Sequence, residues 1–151
     1  MKSRNFDNLN PFLPNRFTFV IEGIEEVTFN LINGSVPGMS VPAVPSPFRD
    51  RQGQVSGDRI QTDSISLTFL LDEALVTYRA AYTWLLNSVS SDVQRDVTIV
   101  LHTAQNTPNL SVRLINAIPT TLSPIDFNMQ DENNEPIQVT LTVECDRIEL
   151  V

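Results

Sequence analysis

The stretch Ile137-Gln138-Val139-Thr140-Leu141-Thr142-Val143-Glu144-Cys145 decides the fold class. Ile137, Val139, Leu141 and Val143 fall on one side of an extended chain, and Gln138, Thr140, Thr142 and Glu144 on the other. Successive side chains of a strand point to opposite faces, so this pattern predicts a strand with one face in a core and one outside it. The same period runs from Asp63 to Leu70, where Ile65, Leu67 and Phe69 alternate with Ser64, Ser66 and Thr68. It runs again through Phe17, Phe19 and Ile21, and after a turn at Gly23 through Val27, Phe29 and Leu31, which predicts a hairpin. Val97 to His102 and Leu110 to Ile118 add further strands.

One segment changes period. Asp72 offers an N-cap, and Leu75, Tyr78, Tyr82, Leu85 and Val89 recur at helical spacing, which predicts a helix over 73–89 with Trp84 and the two tyrosines in the core. Many strands and one helix predict a single, mainly β domain over 1–151: two packed antiparallel sheets, a β-sandwich, with one flanking α-helix.

Two stretches stand outside this pattern. Residues 1–15, with Pro11, Pro14 and several Asn, read as an extended N-terminal arm. Residues 34–59 carry Pro37, Pro42, Pro45 and Pro47 together with Gly34, Gly38, Gly53 and Gly57, after a turn expected at Asn33-Gly34. Proline removes ladder donors, so 34–59 is no central strand throughout, although Gln52 to Ile60 suits a glycine-hinged ribbon. A connection this long in a small domain is commonly functional, and it is expected to lie across another subunit.

Composition narrows the function. The chain has 151 residues, 18 acidic and 10 basic groups, and a net charge of −8. Lys occurs once, at Lys2, which argues against a surface that grips phosphates by releasing counterions. Six bases and six acids cancel over 1–59, so the whole −8 lies in 60–151, where Arg79, Arg95, Arg113 and Arg147 face twelve carboxylates. An acidic face is therefore expected in the C-terminal two-thirds.

Chemistry-bearing motifs are sparse. One cysteine, Cys145, and one histidine, His102, supply neither a disulfide nor a Cys/His zinc set, so no metal and no cofactor is expected. Cys145 reads as a small core residue, and His102, ending an alternating strand, as structural or solvent-facing. The pairs Glu25-Glu26, Asp72-Glu73 and Asp131-Glu132 read as solvated turns and a helix start, and no nucleotide-binding or nucleophile motif occurs. An enzyme is not expected. The start of the chain lacks an apolar signal region and no run approaches a membrane span, so no membrane anchor and a cytoplasmic site of synthesis are expected.

The informative feature is an omission. Neither Ser64, Ser66 and Thr68 nor Gln138, Thr140, Thr142 and Glu144 include Lys or Arg, whereas a solvated sheet face usually mixes both signs. Hydroxyls with carboxylates would form a smooth face that does not hold a polyanion.

The order of these elements carries a resemblance. Asn15-Arg16-Phe17 opens a strand, Pro37-Gly38 starts an extended segment, and Gly57-Asp58-Arg59 ends a glycine-hinged loop. A strand then enters Asp72-Glu73 and a helix, and the 137–144 strand closes the chain. From Asn15 to Glu144 this resembles the tail tube proteins of contractile-tailed bacteriophages. The resemblance implies hexameric rings stacked into a tube inside the sheath, with a β-barrel lumen that conducts DNA during ejection without binding it specifically. It implies as partners further copies of the chain, the tail sheath protein, the baseplate or tube-initiator protein and the tail terminator, with the product located in a virion tail assembled in the host cytoplasm.

It also makes Ser64, Ser66, Thr68, Gln138, Thr140, Thr142 and Glu144 lumen-lining candidates. Phe48, Arg49, Asp50, Arg51, Asp58 and Arg59 become inter-subunit or inter-ring contact candidates, the arginines suited to a neighbour's carboxylates. The alternatives are a baseplate tube initiator of the same fold and a small β-sandwich binding module with the proline-rich loop as its ligand site.

Overall fold

The computed structural model of the protein describes residues 15–24, 31–91, 94–130, 132 and 135–151. The arm up to Pro14, Val27 and Phe29 of the expected hairpin, Glu25-Glu26 and Asp131 lie outside the described residues.

Eleven strands and one helix follow in order among the described residues. They are β1 (Phe17–Ile21), β2 (Leu31–Asn33), β3 (Met39–Ser40), β4 (Ala43–Pro47), β5 (Gln52–Ser56), β6 (Gln61–Thr62), β7 (Ile65–Leu70), α1 (Val76–Ser91), β8 (Arg95–His102), β9 (Pro108–Leu122), β10 (Gln138–Glu144) and β11 (Arg147–Leu150). The main strand path is β1-β8-β9-β10-β7-β2, with β11 also beside β9, and every pairing is antiparallel. The mainly β architecture with one helix is as expected.

The 15-residue β9 belongs to both layers. Its first part pairs β8 on one edge and β11 on the other, and its last residues, Ile118 to Leu122, pair β10. β10 and β11 thus follow one another along the same edge of β9, and both strands turn together at a corner. There Asn116 takes φ 54°, its side-chain Nδ2 donates to Asp146 Oδ2 at 3.0 Å, and Asp146 N–H donates to the Ile115 carbonyl at 3.1 Å. Asp96 on β8 completes the corner: it accepts from the Asn116 N–H at 3.3 Å and from Arg113 at 2.7 Å. Asn tolerates the left-handed region better than other non-glycine residues, which suits it to this position.

One layer is therefore β1-β8-β9-β11 and the other β9-β10-β7-β2, joined through the bend into a barrel-like sheet. The seam between its two ends is lined by apolar side chains including Phe17, Phe19, Val36, Ile99 and Leu101. Between the layers, Phe19, Ile21, Val97, Ile99, Val112 and Leu114 meet Ile65, Leu67, Phe69, Val139, Leu141 and Val143, all buried. Each such side chain contributes about 1.5–3 kcal/mol when fully buried, so the period-2 pattern of these strands is the main term holding the layers in register.

Four expectations are corrected. β1 and Leu31 do not form a hairpin: β1 pairs β8 over five residues, Phe19 opposite Ile99, while Leu31 opens β2 and sits opposite Phe69. Leu31 lies beside β7 in the other layer, partly buried against the core, and the rest of the expected second strand lies outside the described residues. The helix starts at Val76, not 73, because Leu75 has φ 54° and stands outside the helical region; Asp72 still caps it, its Oδ1 accepting from the Val76 N–H at 3.1 Å. Its buried stripe is Thr77, Ala81 and Trp84, whereas Val89 is 87% exposed and Tyr82 about half exposed, stacked on Tyr78 with ring centroids 6.5 Å apart. Asn33-Gly34 makes no turn, since Asn33 ends β2 opposite Thr68.

Among the described residues no helix is long and apolar enough to cross a membrane.

Candidate functional site

Two features remain once the core is accounted for: the outer face of the β9-β10-β7-β2 layer and the ribbon built from 39–62.

On the outer face, Ser66 of β7 lies opposite Thr142 of β10, and Thr68 opposite Thr140. The Thr68 and Thr140 hydroxyls are 3.2 Å apart. Gln138 and Glu144 continue the same face at either end of β10, both exposed. Six of the seven lumen candidates are thereby brought onto one surface. Ser64 is the exception: β7 begins at Ile65, so Ser64 is exposed but outside the ladder.

Sequence reasoning missed the flanking strands. Thr121 of β9 lies opposite Thr142, and Thr120 donates through Oγ1 to the Thr142 carbonyl at 3.2 Å. The signal was Thr120-Thr121, two adjacent hydroxyl residues that end an apolar-polar alternation. Ser123 fastens the edge of the face, donating through its N–H to the Thr140 carbonyl and accepting from the Thr140 N–H, both at 2.9 Å.

The charge distribution on the two layers differs. Residues 31–33, 65–70, 118–122 and 138–144 contain a single ionisable side chain, Glu144. The other layer carries Arg95, Asp96, Arg113, Arg147 and Glu149, with Arg113–Asp96 at 2.7 Å and Arg147–Glu149 at 3.1 Å as ion pairs. The acidic excess therefore does not coat the hydroxyl face, contrary to the expected hydroxyl-plus-carboxylate surface. It lies around the helix start and in the β9–β10 connection, since the three arginines of the other layer outnumber its two carboxylates.

The 34–59 stretch is an ordered arm. β3 pairs β6, and β4 pairs β5 from Ala43–Ser56 to Pro47–Gln52. The tip is closed by Phe48 N–H donating to the Arg51 carbonyl at 2.9 Å, and the foot by Gly57 N–H donating to the Pro42 carbonyl at 2.9 Å. This fixes which β4 residues point their N–H inward. Pro45 and Pro47 alternate with them and so sit where no ladder donor is needed, which is how a proline-rich segment forms a ribbon. Phe48, Arg49, Asp50 and Arg51 make the tip, and Asp58 and Arg59 flank the foot just after Gly57.

One face of the ribbon is apolar: Val44 is opposite Val55, and the Phe48 ring covers Gly53, where a Cβ would stand 2.3 Å from Phe48 Cε2. Val44, Val55 and Phe48 are each about half exposed. Two-stranded ribbons are marginal in water on their own, and this one leaves its apolar side chains about half exposed.

The remaining candidates are structural. His102 is half-buried with Nε2 2.7 Å from Thr18 Oγ1, tying β8 to β1. Cys145 is half-buried against the core, and burial pushes its thiol pKa up, with Asp146 adding to the shift. Among the described residues no cluster of His, Cys, Asp and Glu could hold a metal ion.

No protein-family profile matches the sequence, and no curated protein matches it. Solved structures do. A chain of the anti-feeding prophage cap, the AFP tube terminating cap, superposes with TM-score 0.78 at 19% identity, covering 100% of this chain and 97% of that one. A chain of the PVC sheath-tube complex, an extracellular contractile injection system in its extended state, gives 0.75 at 18% identity, covering 100% and 98%. Hcp1 from Flavobacterium johnsoniae gives 0.54 at 12% identity, covering 89% and 93%. The chain thus has the fold of these contractile-injection-system chains and of Hcp1, over nearly its whole length.

Proposed function

We propose that the protein is a structural subunit of a contractile tail tube, copies of which form hexameric rings that stack around a lumen. The observation that carries this reading is the asymmetry of the two layers. A face of Ser66, Thr68, Thr121, Thr140 and Thr142 with one ionisable group suits a conduit wall, because it offers a passing polyanion no counterion-releasing grip. The fold supports the reading: it is shared with a chain from a sheath-tube complex. The β4–β5 arm, with its apolar face and arginine tip, is the element that engages neighbouring copies. In a phage tail the cargo is DNA and the outer partner the sheath, with baseplate and terminator proteins at the ends, and the site is the virion tail.

The test is negative-stain microscopy of the purified protein, with rings or tubes as the expected result. A species that stays monomeric at high concentration overturns the reading. Thr140→Arg, on the hydroxyl face, is expected to leave assembly intact and slow cargo ejection; unchanged ejection removes that face from the lumen. The second reading, a single-ring component at one tube end, is favoured by the likeness to a chain of a tube-terminating cap. Copy number per particle decides between them, since an end component is present as about one ring.

A further inference from the structure

The arm and the β9–β10 connection lie at opposite ends of the same layer. β7 runs from Ile65 to Leu70, and β10 antiparallel to it, with Val143 opposite Ile65 and Gln138 opposite Leu70. The arm enters β7 from β6, at the Ile65 end. The connection leaves β9 after Leu122, which is opposite Leu141, and returns through Ile137, whose carbonyl accepts from Leu71 N–H at 3.0 Å, at the Leu70 end.

The two ends are complementary. At the arm tip stand Phe48, Arg49, Asp50 and Arg51, a set with net positive charge, with the half-exposed Val44 and Val55 behind them. At the other end Phe127 is 82% exposed and Met129 fully exposed, an unusual pair of large apolar side chains in water. Around them Asp126, Glu132 and Glu135 are exposed, and from Leu114 to Asp146 the sequence contains no Lys or Arg. A basic, apolar tip at one end of a subunit and an acidic, apolar surface at the other cannot meet within one copy. They satisfy each other only head to tail, a heterologous contact that propagates along an axis.

We infer that the arm tip of one copy seats on the β9–β10 connection of the next copy along the tube, with Phe127 and Met129 as apolar anchors and Arg49 and Arg51 facing Asp126 and Glu132. This rests on the tube reading and names the receiving surface within it. The apolar anchors carry most of the affinity and the charges set register, because exposed ion pairs contribute little individually.

The experiment compares wild type, Phe127→Ser/Met129→Ser and Arg49→Glu/Arg51→Glu by light scattering and negative-stain microscopy, with circular dichroism melts confirming equal folding. Rings that persist while mean tube length falls at least tenfold in both variants are the expected result. Adding Asp126→Arg/Glu132→Arg to the arginine variant is expected to restore tubes. Tubes of wild-type length from Phe127→Ser/Met129→Ser overturn the inference while leaving the tube reading intact. A wild-type protein that forms neither rings nor tubes overturns both. As a direct readout, Arg49→Cys/Asp126→Cys is expected to give ladders of oxidised oligomers, and monomer alone from preformed tubes counts against the contact.

Discussion

Removing the Asp96 carboxylate tests whether the corner of β9 is held as its geometry indicates. Asp96 Oδ2 accepts from Arg113 at 2.7 Å and Oδ1 from the Asn116 N–H at 3.3 Å, where the backbone has φ 54°. The ion pair is partly exposed, 49% at Arg113 and 25% at Asp96, so it contributes only about 0.5 kcal/mol. The N–H is part-buried, and leaving such a donor without its acceptor costs about 1–3 kcal/mol. Asp96→Ala should therefore destabilise the fold by about 1.5–3.5 kcal/mol, and Arg113→Met, which loses the ion pair alone, by about 0.5 kcal/mol. For 151 residues the unfolding entropy near the midpoint is about 0.3 kcal/mol/K, so Asp96→Ala should lower Tm by about 5–11 °C and Arg113→Met by about 1–2 °C. Differential scanning calorimetry on unassembled protein measures both. Equal shifts would refute the reasoning, because they would mean that the carboxylate serves only its arginine and that the corner holds its bend without it.

Two further outcomes follow from local geometry. At Gly57 a Cβ would stand 2.4 Å from the Pro42 carbonyl oxygen, a backbone atom with no room to yield, whereas at Gly53 it meets only the exposed Phe48 ring. Gly57→Ala should therefore break the foot of the arm and reduce assembly while leaving the Tm of the body within about 1 °C, and Gly53→Ala should do much less, both read by calorimetry and microscopy. Burial raises the Cys145 thiol pKa in the folded state, so the unfolded chain ionises first as pH rises. Stability should accordingly be flat below about pH 8 and decline above the ordinary thiol range, and a Cys145→Ser variant should lack that decline in melts run across pH.

The layers were legible where one face of a strand is buried. In β7 and β10 the alternation of Ile65, Leu67 and Phe69, and of Val139, Leu141 and Val143, excludes every one-residue slip, which would turn a set outward, and the observed pairing keeps all six in the core. Pairing partners were not legible, because period 2 says that a segment is a strand and not which strand lies beside it. Leu31 follows Ile21 by only ten residues, yet each pairs into a different layer. The helix shows the converse limit. Its spacing pointed to Leu75, Tyr82 and Val89, but a left-handed Leu75 resets the start, and the buried stripe passes instead through Thr77, Ala81 and Trp84. Two small residues and one large one fit against β9 where a row of larger side chains would hold the helix off.

The acidic balance shows how composition and geometry divide the question of what the hydroxyl face does. Twelve carboxylates in 60–151 suggested a surface that repels a polyanion, yet the face formed by β9, β10, β7 and β2 retains only Glu144. Asp96 accepts from Arg113 and from the Asn116 N–H, and Asp146 accepts from the Asn116 side-chain amide, so two of the twelve carboxylates hold this corner of the fold. Asp126, Glu132 and Glu135 are at the end of the layer, where a neighbouring copy's arginines would meet them. On the proposed ring reading, Glu144 would recur once per subunit, a sparse circle of carboxylates in a wall otherwise without charge. Such a wall would neither grip a polyanion nor drive it off strongly, and the Thr68 and Thr140 hydroxyls are already bonded to one another. On that reading the face suits low friction more than charge selection, while at the β9 corner charge serves to hold the bend.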